Sequence, residues 1–273
     1  MKADDHPPSA GQPAGRERPG LGESVPPPGP ALGEPARPQG PGLGESARPQ
    51  GPGLGEPASQ VGPGLGESGS QVGPGLDEAM LASDPVVQFT GWLAEAEAAG
   101  LPEPNAMVLS TVTGSGRPRA RSVLLKSHGQ DGFTFYTNRT SAKIQDLSGN
   151  PWACLLFPWY ALRRQVIIQG AVSPLPERES EPYFHSRPHG SQLGAWASRQ
   201  SSVIGSRAVL DDRYARLEQR WPAGTAVPMP SFWGGYLLRH DIVEFWQGRT
   251  NRLHDRLRYR RQGTHWTVER LAP

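Results

Sequence analysis

The sequence predicts a mainly β fold with helical additions, an α+β body of about 190 residues behind a long Gly- and Pro-rich arm. Three observations predict it. Every Phe, Trp and Tyr lies at or after Phe89, so only the later part can bury a sizeable core. That part carries short β-prone runs joined by hairpin-length links. Its helical signals fall at the start and in one polar middle section, whereas a βαβ fold would alternate helices with strands.

Residues 1–79 form the arm. They hold 18 of the 34 Gly and 16 of the 30 Pro, and Leu21, Leu32, Leu43, Leu54, Leu65 and Leu76 recur every eleven residues. An eleven-residue period can signal a right-handed coiled coil. Gly and Pro in every copy oppose a helix, so the segment is expected to be a disordered low-complexity arm. Met80 then stands as an alternative start, and the expected domains are the arm 1–79 and a body 80–273.

In the body, Ser83-Asp84-Pro85 offers an N-cap and a first-turn proline, and Val86, Phe89, Leu93 and Ala96 give one apolar face up to Gly100. Strands are expected at Ala106–Thr113, Arg119–Ser127 and Phe133–Asn138, separated by glycine turns. Ser141 is placed to cap a short helix holding Lys143 and Ile144, which closes near Gly149-Asn150-Pro151. Strands follow at Trp152–Trp159 and Gln165–Val172. The polar section from Glu177 to Trp221 reads as two short helices around Tyr183 and Trp196 and a longer one from Asp211. After the loop Pro228–Gly235 come strands Tyr236–Gln247, Asp255–Arg261 and His265–Arg270. Hairpin-length links favour an antiparallel barrel or sheet.

A net charge of +2 gives no general nucleic-acid or membrane surface. The single Cys154 allows no intrachain disulfide and favours a reducing compartment. No apolar run approaches membrane-spanning length, so a cytoplasmic protein is expected. His185 and His189 lack metal-like partners, and no metal is expected.

Chemistry concentrates in Trp246-Gln247-Gly248-Arg249-Thr250-Asn251-Arg252-Leu253-His254-Asp255-Arg256. Alternation at period two would set Arg252, His254 and Arg256 on one face of an extended segment, beside an aromatic, as an anion site. The competing reading is a solvated hairpin tip. A second signal is compositional: there are 25 Arg but only three Lys, at positions 2, 126 and 143. Lys126 and Lys143 are thus candidates for places that need a compact ammonium, such as a phosphate contact.

Ordered landmarks carry a family resemblance. They are Arg121-Ser-Val-Leu-Leu-Lys126, Phe135-Tyr-Thr-Asn138, Leu156-Phe-Pro-Trp159, Arg164-Gln165, Tyr183-Phe-His-Ser-Arg-Pro188 and Ser191-Gln-Leu-Gly-Ala-Trp196. Gln200-Ser-Ser202, Pro230-Ser-Phe-Trp-Gly-Gly235, Glu244-Phe-Trp-Gln-Gly248, Arg252-Leu-His-Asp-Arg256 and Glu269-Arg-Leu-Ala-Pro273 complete the set. From about Asp84 to the last residue the chain resembles the FMN-dependent pyridoxamine (pyridoxine) 5′-phosphate oxidases.

The resemblance implies a split β-barrel that dimerises with FMN at the subunit interface. It also implies oxidation of pyridoxamine or pyridoxine 5′-phosphate by dioxygen to pyridoxal 5′-phosphate. Hydrogen peroxide is released, and ammonia from the amine substrate, in vitamin B6 biosynthesis and salvage. The implied FMN contacts are Arg121, Ser122, Val123, Leu124, Leu125, Lys126, Tyr136, Thr137, Lys143, Gln165, Gln200, Ser201, Trp246 and Arg256. The implied substrate contacts are Lys126, Tyr183, Arg187, Ser191, Arg252, Leu253 and His254, with Arg252 and His254 at the reacting carbon. Tyr183, Arg187 and Ser191, spaced by four, share a helical face only if the helix survives Pro188. Trp196 and Trp233 read as core or interface aromatics.

Two departures stand out. Ala142 occupies a position where the family commonly has Arg, for which Arg139 is a possible substitute. The repeat arm and Leu76-Asp-Glu-Ala-Met80 replace the family's Arg- and Tyr-containing segment that closes over the substrate. Two other readings compete: a different split-barrel flavin reductase, and a flavin- or pyridoxal-phosphate-binding protein without turnover.

Overall fold

The computed structural model describes residues 75–273; the arm expected over 1–79 lies, up to residue 74, outside the described residues. Helix α1 (Pro85–Ala98) starts where Asp84 accepts hydrogen bonds from the Val86 and Val87 amides, at 2.7 and 3.3 Å, with Pro85 in the first turn. Strand β1 (Ala106–Val112) alternates half-buried and buried residues, as a strand covered on one face should. It pairs antiparallel with β2 (Pro118–Leu124). The short β3 (Ser127–Gly129), β4 (Gly132–Asn138) and helix α2 (Ala142–Gly149) follow. Next come β5 (Trp152–Trp159) and β6 (Arg164–Pro174), then three helices: α3 (Glu177–Ser186), α4 (His189–Ala197) and α5 (Arg207–Arg220). The last strands are β7 (Trp233–Gln247), β8 (Asp255–Gln262) and β9 (His265–Arg270).

Among the described residues nine strands form one sheet, in the path β2-β1-β5-β6-β7-β4-β3, with β8 and β9 added beyond β7. The chain leaving β2 crosses directly to β4: the Lys126 amide donates to the Thr134 carbonyl, and β3 continues that pairing. The sheet therefore closes on itself as a split β-barrel. Its interior is filled by Met107, Leu109, Phe133, Phe135, Leu155, Phe157, Ile168, Val243, Phe245 and Tyr259, and α1 packs onto this core. Phe89 of α1 meets Phe133 and Phe157 edge-on at ring distances of 5.0 and 4.9 Å, the favoured arrangement of aromatic quadrupoles. The β6–β7 register shifts at Gln169/Gly170, where a side chain is excluded: a Cβ on Gly170 would lie 1.8 Å from the Arg239 carbonyl oxygen. A smaller apolar cluster of Phe184, Leu193, Val227 and Trp233 sits under α3 and α4.

Several local expectations change. The second expected strand, to Ser127, divides at Leu125–Lys126, where its partner switches from β1 to β4. The α5 helix begins at Arg207 and not Asp211, because Ser206 is already extended and Arg207 can pair with Asp211 one turn on, at 2.7 Å. Strand β7 begins at Trp233, inside the expected loop, since Trp233 and Gly234 pair with Asn138 and Thr137. Ser141 precedes α2 without capping it through its side chain; its hydroxyl accepts instead from Lys143 Nζ at 3.3 Å. The described end of the repeat is attached: Leu76 is buried in the barrel core. Among the described residues no helix is long and apolar enough to cross a membrane.

Candidate functional site

A cavity of about 840 Å³ opens on the outer face of the barrel between β2, β4, α2 and the α3–α4 pair. Its lining includes Arg121, Ser122, Val123, Leu124 and Lys126 from the strand-crossing segment, Tyr136 and Thr137 from β4, and Lys143 from α2. Tyr183, Arg187 and Ser191 enter from α3 and α4, and Gln200 and Ser201 from the loop after α4. Thirteen of the twenty residues singled out from sequence thus meet in one place.

At one part of the cavity Lys143 is only 7% exposed, yet among the described residues it has no carboxylate partner. Its Nζ donates to Gln200 Oε1 at 2.7 Å, Thr137 Oγ1 at 3.0 Å and the Ser141 hydroxyl. Desolvation, with the nearby Arg121 guanidinium adding repulsion, lowers its pKa to about 8. A buried ammonium facing hydroxyls and an amide fits an anionic ligand. Arg121 is held differently, by the Leu109 carbonyl at 3.0 Å, Thr111 Oγ1 at 2.7 Å and Asp146, 3.5 Å away. Burial lowers its pKa, against the opposing pull of Asp146. Ser201 lines the same wall in a left-handed conformation (φ 72°), which a non-glycine residue adopts at some cost.

At another part of the cavity, aromatic rings form a floor. Tyr136 stacks on Tyr183 at 4.1 Å and on Trp233 at 5.3 Å. Lys126 Nζ lies 5.8 Å from the Tyr183 ring centre, and the Arg187 guanidinium 5.0 Å from that of Trp233. Arg187 donates to the Ser191 carbonyl at 2.7 Å, but its Nη1 is buried without a partner. Such an orphaned donor marks a missing acceptor. The Tyr183–Arg187–Ser191 helical face does not exist: α3 stops at Ser186, Arg187 is extended (ψ 150°), and Pro188 starts a new helix. The three residues reach the cavity across that break.

The remaining candidates lie apart. Leu125 points into the core, 4% exposed. Gln165, Trp246 and Arg256 form one row across β6, β7 and β8. Trp246 is thirteen residues along β7 from the cavity residue Trp233, roughly 40 Å of extended chain. Arg256 is paired with Glu244 at 2.8 Å, which raises its pKa. The expected period-two face of Arg252, His254 and Arg256 is not formed. Residues 250–252 make a 3-10 turn, with Asn251 and Arg252 at φ 55° and 59°, and β8 starts only at Asp255. His254 still meets Trp246, ring to ring at 4.6 Å, and its Nδ1 accepts the Arg249 amide at 3.1 Å. Leu253 is 69% exposed.

Two sequence matches cover these residues. Residues 93–221 match the family described as pyridoxamine 5′-phosphate oxidase, and residues 233–273 match the pyridoxine 5′-phosphate oxidase C-terminal dimerisation region. The chain belongs to the pyridoxamine 5′-phosphate oxidase family. Over 197 residues it is 58% identical to a pyridoxine/pyridoxamine 5′-phosphate oxidase from Frankia alni, covering 71% of this chain and 82% of that protein. Among solved structures it resembles PhzG from Burkholderia lata 383 in complex with tetrahydrophenazine-1-carboxylic acid. That match has 34% identity and TM-score 0.68, over 71% of this chain and 95% of the other. A pyridoxamine 5′-phosphate oxidase-related, FMN-binding protein from Nostoc punctiforme shares the fold at 18% identity and TM-score 0.55, over 71% and 99% of the two chains.

Sequence reasoning missed some walls of the oxidase-family cavity. Trp233, set aside as core or interface, is 6% exposed and yet lines the cavity and carries Arg187. Asn138, Pro188, Gly194, Ala195 and Ser198 also line it, and nothing in their local pattern distinguishes them. Ala142 lines it too, but Arg139 does not stand in for the missing arginine: its Nε donates to the Trp233 carbonyl at 3.2 Å and it packs over Gly234.

Proposed function

We propose that this chain is an FMN-dependent oxidase converting pyridoxamine 5′-phosphate and pyridoxine 5′-phosphate to pyridoxal 5′-phosphate, a cytoplasmic enzyme of vitamin B6 metabolism. The observation that carries the reading is a pair of cations in one cavity that have no carboxylate partner among the described residues, the Lys143 ammonium and the Arg187 guanidinium, whose Nη1 is buried without an acceptor. Two anionic groups fit them, as two phosphorylated ligands bound side by side would supply. The cavity volume is ample for both, and the aromatic floor suits flat rings.

In this assignment Lys143, Thr137, Gln200, Ser201, Arg121, Ser122 and the backbone from Val123 to Leu125 hold FMN. Lys126, Tyr183, Arg187 and Ser191 hold the substrate phosphate. FMN when bound supplies the acceptor for a hydride from the substrate C4′ carbon and passes the electrons to dioxygen, giving hydrogen peroxide. The protein contributes orientation: stacked rings and two clamped phosphates turn a bimolecular encounter into a fixed alignment. Gln165, Trp246, Arg252, Leu253, His254 and Arg256 cannot reach that cavity along their own strand. The C-terminal dimerisation region that carries most of them supports a homodimer in which a second copy brings them to the interface. With Nδ1 accepting from the Arg249 amide, Nε2 is the His254 nitrogen left to meet the substrate in this assignment. Arg252 stands beside it as a fixed cation.

The test is to load the purified protein with FMN, add pyridoxamine 5′-phosphate in air, and follow pyridoxal 5′-phosphate and peroxide together. Equal amounts of both are expected. Flavin bound with no product would reject the oxidase in favour of a binding protein.

A further inference from the structure

The last copy of the eleven-residue repeat does more than end the arm. Gly75-Leu-Asp-Glu-Ala-Met-Leu81 lies against the start of β8 and the end of β9. The Leu76 side chain enters the barrel core, its amide donates to Asp255 Oδ2 at 3.0 Å, and its carbonyl accepts from Arg270 Nη2 at 3.2 Å. Glu78 takes a two-pronged contact from Arg270, at 2.8 and 2.6 Å, and is held well below the usual carboxylate range by that contact. Arg270 also donates to Asp255 Oδ1 at 3.1 Å, and Arg249 Nε lies 3.5 Å from Asp255 Oδ2. Gly75 leaves room for this junction: a Cβ there would come within 3.0 Å of Asp255 and 3.2 Å of Arg249. Asp77 accepts the Ala79 amide at 2.9 Å, shaping the turn that places Glu78.

The polar contacts of this segment with the body converge on Asp255, directly from the Leu76 amide or through Arg270. Asp255 follows His254 directly, and Arg249 supplies the amide that fixes the His254 ring. The loop itself is not rigid by design: two successive non-glycine residues, Asn251 and Arg252, sit at positive φ, a conformation that persists only when its surroundings hold it. We propose that Gly75–Leu81 is a clasp, a positioning element that acts through Asp255 and Arg249 to hold Arg252 and His254 in register for the reaction. This rests on the assignment of those two residues to the substrate side of the oxidase site. None of the clasp residues lines the cavity.

The test uses the full chain loaded with FMN, with Leu76→Ala and Glu78→Gln combined, which leaves every cavity residue in place. Backbone amide exchange of residues 248–254 is expected to accelerate while that of β4 and α2 does not. For pyridoxamine 5′-phosphate, kcat per bound flavin is expected to fall on the order of 10-fold, as for a misaligned reacting group, with little change in flavin affinity. A merely structural role would instead lower flavin content and thermal stability with kcat per bound flavin intact. Unchanged exchange at 248–254, or parental kcat per bound flavin, overturns the clasp. Should the double variant fail to fold, Glu78→Gln alone removes the ion pair from an exposed position and is read in the same way. Exchange is measured without turnover, so a parent that fails to oxidise the amine would sink the proposed activity and still leave the clasp decided.

Discussion

Lys143→Met isolates the consequence of burying an ammonium for a ligand. In the folded chain the Lys143 pKa falls from the ordinary 10.5 to about 8, first through desolvation and then through Arg121. At ~1.36 kcal/mol per pH unit, that difference is at most about 3 kcal/mol of bias against the charged form, and screening at the open mouth of the cavity reduces it to about 1–2 kcal/mol. The folded pKa lies below the unfolded one, so between pH 8 and 10.5 the unfolded chain binds more protons, and parental stability rises with pH across that window. Methionine removes the buried charge, and Thr137 Oγ1 and Gln200 Oε1 remain bonded to each other at 2.9 Å. Flavin-free Lys143→Met should therefore be about 1–2 kcal/mol more stable than the parent at pH 7 in urea unfolding, with the gain shrinking toward pH 10.5. Its FMN affinity, from flavin fluorescence quenching, should fall about 10- to 100-fold, the loss of one charge-assisted hydrogen bond. In the parent, FMN affinity should weaken as pH rises above 8, since the anion requires the protonated amine. A Met variant less stable than the parent at pH 7, or one that binds FMN equally well, would refute the argument.

Other outcomes follow from the same geometry. Arg187→Ala should raise KM for pyridoxamine 5′-phosphate by about 10- to 100-fold without affecting FMN binding, because the substrate phosphate loses the Nη1 donor. Activity on unphosphorylated pyridoxamine, assayed in parallel, should not change. Arg252→Ala should cut turnover roughly 100-fold with flavin retained, read as kcat per bound flavin. Gly170→Ala forces a Cβ into the Arg239 carbonyl and should cost on the order of 3 kcal/mol in urea unfolding, with the register shift of β6 on β7 disturbed. Phe89→Ala empties the contact among α1, Phe133 and Phe157 and should cost about 3–5 kcal/mol by the same measure.

Local signals were legible where local physics decides. Asp84-Pro85 starts α1 as expected, because the cap and the proline act within one turn. Strand alternation in β1 and β5 follows from one face being covered. The scarcity of lysine led to Lys126 and Lys143, and both line the cavity. What the sequence did not reveal depends on distant partners. The switch of pairing at Leu125–Lys126 needs β4, and the role of Trp233 needs Arg187 and Tyr183 from another element. Alternation around Arg252 suggested an extended face, whereas the loop folds into a left-handed turn fastened by Asp255. Leu76 looked like one more leucine of a repeat, since the Arg270 that fastens its copy lies 194 residues away in the chain.

The attachment of that copy has an evolutionary corollary. Leu21, Leu43, Leu54 and Leu65 each sit in the same Gly-Leu-x-Glu frame as Gly75-Leu76-Asp77-Glu78, and Leu32 departs from it only in the residue before. Replication slippage in such a tract adds or removes whole copies. Whatever the number, the unit abutting α1 still presents a leucine and a glutamate at the spacing that Asp255 and Arg270 accept. Arm length is thereby uncoupled from the junction and open to neutral drift. The fixed point is Asp77, which stands where the other copies have glycine and shapes the turn before Met80.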